Sequence, residues 1–65
     1  MNAYEMLARR NKADKLVAVI RSFDGTVEDA RGMTDEDWVH AAKLAKVALP
    51  SQATRIMVIE ILEGK

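Results

Sequence analysis

Sixty-five residues, 49% of them hydrophobic and none of them cysteine, make one small domain that neither disulfides nor the common cysteine-based zinc sets can staple. Ten basic and ten acidic residues cancel, which argues against the broad positive field that nucleic-acid binders use to attract phosphate. No apolar run approaches the roughly 18 residues of a membrane span.

The first predicted element lies in NAYEMLARRNKADKLVAVIRSFDG. Ala13, Leu16, Val17, Ile20 and Phe23 recur at helical spacing, and Tyr4, Leu7 and Ala8 extend the pattern if the helix is unbroken. A helix over about residues 3–23 is expected, with Gly25 at the C′ position. Asn11, with Asp14 three positions on, is the alternative cap of a second piece, and a break there would turn three helices into four. Residues 1–15 lack the apolar stretch of a secretory signal, so a cytoplasmic protein is expected.

Asp24-Gly25 between VAVIRSF and TVEDARG is also a hairpin signal, but TVEDA makes a poor strand. Residues 26–33 are therefore read as a connecting loop, with Gly32 as its turn residue.

The second helix, over about residues 35–48, has the clearest local signals. Thr34 is an N-cap, Asp37 can reach back to its amide as in a capping box, and Met33 and Trp38 hold the two staple positions. Trp38, Ala41, Ala42, Ala45, Ala48 and Leu49 gather on one side, with His40, Lys43 and Lys46 pointing away. Pro50 forbids continuation.

Ser51 is placed to cap a third helix over about residues 52–63. Its segment RIMVIEIL, residues 55–62, is apolar on nearly every side, interrupted only by Arg55 and Glu60. The β-branched content also suits a strand, but no convincing second strand is present to pair with it. The fold class expected is all-α: one domain over residues 1–65, a small three-helix bundle, or four helices if the first breaks near Asn11.

Two other helices, one of them mostly alanine on its inner face, leave part of that last helix uncovered. Burying an Ile or Leu side chain is worth about 1.5–3 kcal/mol, so several left in water would forgo much of a small domain's stability. A homodimer covering the same patch on both copies is the simplest remedy, with Met57, Val58, Ile61 and Leu62 as its interface.

Charge is segmented along the chain. Residues 1–22 carry five positive and two negative side chains (+3), residues 23–37 one and six (−5), and the remainder four and two (+2). Glu28, Asp29, Asp35 and Glu36 are the acids that would steer a basic partner or align two copies, although a solvated loop and helix-end charge placement account for them more simply.

No chemistry can be assembled from the rest. His40 is the only histidine, and Glu36 one turn earlier does not make a metal site or an acid-base dyad with it. The acids lack the spacing and central glycine of a calcium loop, and no serine or threonine sits in a nucleophile or phosphate-loop setting. A non-enzyme without cofactor or metal is expected.

The preferred reading is a small protein-protein interaction module: an adaptor, inhibitor or accessory protein of the size common among phage and mobile-element products, using its C-terminal helix as interface. The alternative is a helix-turn-helix DNA-binding regulator built on LAKVALPSQATRIMVIEILEG, with Arg9, Arg10, Lys12, Gln52 and Arg55 as contacts. Its turn contains proline and lacks glycine, and its reading helix turns apolar and then acidic, so nucleic acid is the lesser expectation.

Overall fold

Every regular element of the computed structural model, which describes residues 2–64, is an α-helix: α1 (Ala3–Ser22), α2 (Val27–Arg31), α3 (Asp35–Ala45) and α4 (Gln52–Glu63). Each starts on a polar cap. The side chains of Asn2, Thr26, Thr34 and Ser51 each accept a hydrogen bond from the amide three residues on, satisfying one of the donors that a helix start leaves without an internal partner.

The helix count of four does not come from a break in α1. That helix runs straight through Asn11, where Arg10 Nε donates to Asp14 Oδ1 at 3.1 Å across one turn. The extra helix is α2, inside the segment expected to be a loop. Thr26 and Asp29 form a capping box of the same Thr-x-x-Asp pattern as Thr34 and Asp37. Five residues are too few to hold a helix by propensity, and packing supplies the rest: Ala30 is buried, and Arg31 pairs with Glu28 and with Glu63 at the far end of α4.

Two helix ends depart from expectation for one reason. The left-handed residue that closes α1 is Asp24 (φ 58°), not Gly25; Asp24 N–H donates to Arg21 O at 3.0 Å and Gly25 N–H to Ile20 O at 2.9 Å. Likewise α3 stops at Ala45 rather than near residue 48, because Lys46 (φ 59°) turns left-handed and Val47 N–H donates back to Ala42 O at 3.0 Å. Both are Schellman closures, which redirect the chain while satisfying terminal carbonyls. The early stop turns Val47 onto the core and leaves Ala48 and Leu49 exposed instead of continuing the inner stripe.

α1 is the organising element. At 1.5 Å per residue its twenty residues span about 30 Å, close to the longest dimension of the molecule, 32 Å. α4 and α3 pack on it, and α2 packs on α4. The radius of gyration, 10.9 Å, matches the roughly 10.7 Å expected of one compact domain this long. Ala13, Leu16, Val17 and Ile20 of α1 meet Ala30, Trp38, Ala41 and Val58 in the core, where Leu16 and Val58 are the largest side chains fully enclosed. Thr54 is the buried polar residue, with its Oγ1 3.1 Å from Ser51 Oγ.

RIMVIEIL is better sheltered than the periodicity predicts. Val58 is enclosed; Met57, Ile59, Ile61 and Leu62 are half-buried against the core; among its apolar residues only Ile56 is exposed, at 56%. The apolar surplus of this chain lies elsewhere.

Candidate interaction groove

The surplus surrounds an open groove of ≈ 420 Å³ between α1 and α3. From α1 and its C-terminal cap come Val19, Ile20 and Phe23, and from α3 Asp37, His40, Ala41 and Leu44. The α3 set follows the i, i+3, i+4, i+7 spacing that puts residues on one helix face, and the α1 set falls at i, i+1 and i+4. Gly25 and Met33 close one end. Ile20 and Ala41 are buried and form the floor, while Val19 and Met33 are half-buried.

Small residues keep this floor open. Ala41 stops at a methyl, and Gly25 has no side chain where a Cβ would stand 2.7 Å from Ile20 Cγ2. Large apolar side chains stand on the two banks: Phe23 is 71% exposed and Leu44 59%. The helical spacing assigned Phe23 to the inner stripe, but α1 has ended at Ser22 and the Schellman turn swings Phe23 outward. Leu44 had no place in either face read from the sequence. Its spacing of seven from Asp37, four from His40 and three from Ala41 was the available signal.

Asp37 in the groove, and most of the other acids of α2 and the first turn of α3, already have structural duties. Asp37 Oδ2 accepts from Thr34 N–H at 3.1 Å and Asp29 Oδ2 from Thr26 N–H at 2.9 Å. The bond from the Thr26 amide, followed by that from its hydroxyl, holds the Asp29 carboxyl below its ordinary value of 3.8 against a small opposing effect of burial. Glu28 pairs with Arg31, Asp35 with Arg55, and Glu36 is exposed. Asp37 is the acid in the groove lining, and the segment 23–37 that supplies it together with Phe23, Gly25 and Met33 carries a net charge of −5 (one positive and six negative side chains).

Of the four residues expected at the interface, Val58 is enclosed by its own chain and unavailable to a partner, and Met57, Ile61 and Leu62 present only part of their surface. The expected DNA contacts lie on α1 and at the start of α4. Arg9 and Lys12 are half-buried on α1, Arg10 is paired with Asp14, and Gln52 is exposed at the start of α4. Arg55 is committed to Pro50 O at 3.1 Å, to Asp35 at 2.7 Å and to the Trp38 ring.

Further exposed apolar side chains lie on the N-terminal part of α1, Tyr4, Met6 and Leu7, and among the described residues none before Ala13 is fully buried. Among the described residues, no three His, Cys, Asp or Glu side chains gather as metal ligands, and no helix is long and apolar enough to cross a membrane.

No protein-family model matches this chain, and neither does any curated protein or solved structure.

Proposed function

We propose that this protein is a non-enzymatic interaction module that receives an apolar, basic helix in the groove between α1 and α3. The observation that carries the reading is the pair Phe23 and Leu44, large apolar side chains held in water on opposite banks of an apolar floor. Covering each is worth about 1.5–3 kcal/mol, which a monomer forgoes and a partner helix recovers. Helix-in-groove recognition uses anchors at i, i+3 or i+4 and i+7, and a groove of this size suits two or three of them. Asp37, with the net negative segment that carries it, contributes orientation and association rate more than affinity.

Charge and engagement on α4 oppose a DNA-binding role. As the reading helix of that alternative it offers Arg55, which is already engaged by Pro50 O, Asp35 and the Trp38 ring, and it carries Glu60 and Glu63, which would face phosphate with like charge.

Selection of a random peptide library on the immobilised full chain, run in parallel on Leu44→Glu, tests the proposal. Enrichment on the wild-type protein, and not on the variant, of amphipathic sequences bearing Lys or Arg beside Leu, Met or aromatic anchors is the expected result. Equal enrichment on both, or none on either, would overturn it.

A further inference from the structure

We infer that the occupant of the groove is the N-terminal part of α1 from a second copy of the chain, exchanged reciprocally in a two-fold dimer. This rests on the groove reading above and names its partner.

The N-terminal part of α1 has what the groove lacks. Tyr4 is 85% exposed and Leu7 60%, one turn apart, with Met6 exposed beside them. They ride on a helix whose first ten residues include none that is fully buried, Arg9 and Lys12 being half-buried, so within one chain this overhang gains little packing energy from being helical. Its charge is opposite to that of the segment that supplies Phe23, Gly25, Met33 and Asp37 to the groove. Residues 2–12 hold Arg9, Arg10 and Lys12 against Glu5, a net of +2, while residues 23–37 carry −5.

Geometry couples the two features. Overhang and groove occupy opposite ends of the same rod, with Tyr4 and Leu7 near the start of α1 and Val19, Ile20 and Phe23 at its end. A two-fold axis across the middle of that rod lays two α1 helices antiparallel and brings each overhang to the other copy's groove. Both contacts then close together, and no apolar end is left to propagate a filament. Between them lie the exposed, polar Asn11 and Lys15, so the dimer is joined at two ends across a wet middle. Such an interface forms reversibly with concentration instead of holding permanently.

Sedimentation equilibrium on the full chain from dilute to concentrated solution tests this, with two variants at exposed positions: Leu7→Glu on the overhang and Leu44→Glu on the groove bank. The wild-type mass should rise from 7.2 kDa toward twice that value. Each variant alone should stay monomeric with unchanged helix content by circular dichroism. An equal mixture of the two should regain dimer mass in part, because one intact overhang then meets one intact groove. A wild-type chain that stays monomeric, or a dimer that survives both substitutions, overturns the inference. A dimer broken by Leu44→Glu but not by Leu7→Glu also overturns it, by putting another segment in the groove, and leaves the interaction-module reading standing. The peptide selection described above decides that reading independently.

Discussion

The guanidinium of Arg55, in the first turn of α4, lies over the indole of Trp38, in the first turns of α3, with its carbon 5.5 Å from the ring centroid. The same side chain donates through Nε to Pro50 O at 3.1 Å and through Nη1 to Asp35 Oδ1 at 2.7 Å. One arginine thereby fastens the starts of two helices and the turn between them. Stacking, a charge-assisted hydrogen bond and a buried carbonyl together make Arg55→Ala cost about 2 kcal/mol. That is about 8–16 °C in Tm for a domain of this size. Asp35 is far more exposed, so Asp35→Asn should cost under about 1 kcal/mol. Thermal denaturation of both checks the ranking; equal losses would mean that the ion pair, not the stacking, dominates.

Val58 and Ile56 separate the two roles that the sequence assigned to α4 as a whole. Val58 is fully enclosed, and Val58→Ala should cost about 2–3 kcal/mol through lost transfer energy and the cavity left behind. Ile56→Ala should stay within about 0.5 kcal/mol, as at other exposed positions. Urea titrations of the two variants measure this directly, and a large loss at Ile56 would show that its exposed face is covered in solution.

Asp24 and Lys46 both hold positive φ without being glycine. Left-handed backbone costs an L-residue roughly 1–2 kcal/mol, partly returned in the unfolded state when glycine replaces it. Lys46→Gly should therefore raise stability by about 0.5–1 kcal/mol, and Asp24→Gly by somewhat less, since Asp tolerates this region better. Gly25→Ala should do the opposite. Its Cβ would meet Ile20 Cγ2 at 2.7 Å and Ile20 O at 3.0 Å, and relieving that overlap costs about 1–3 kcal/mol. Calorimetric Tm values of the three variants test both signs.

Asp29 makes folding sensitive to acid. Its folded value lies below the ordinary 3.8, so the ionised carboxylate stabilises the fold above that value and the contribution is lost as pH falls through the lower, folded one. Asp29→Asn removes the charge in both states. The Tm of variant and wild type should differ near neutral pH and converge in strong acid. A constant gap across the titration would mean that the capping box works through geometry alone.

How much of this could be read from the residues depended on the range of the interactions involved. Thr34 with Asp37, Met33 with Trp38, and Ser51 before Gln52 carry their instructions within one helical turn, and the helices appear where those signals lie. Thr26 with Asp29 carries the same instruction, but a five-residue helix is stable only once Ala30 is buried and Arg31 reaches Glu63, partners that sequence spacing does not reveal. The end of α1 falls within a residue of where the spacing puts it, while α3 ends three residues early, because glycine and proline mark only where a helix must stop. A Schellman turn on Asp24 or Lys46 stops it sooner.

By itself the sequence determined an all-helical chain, the caps that start its helices, and a store of apolar side chains larger than a thin core can absorb. Only the tertiary structure decided where that store faces water. α1 lies along α4 closely enough to shelter most of RIMVIEIL, and its own two ends are left uncovered, with Tyr4 and Leu7 at one and Phe23, across the groove from Leu44, at the other. The physical reason is that hydrophobic attraction has no direction. Helical periodicity says which residues share a face, but which face is buried depends on the competition among all helices for the surface of the longest one.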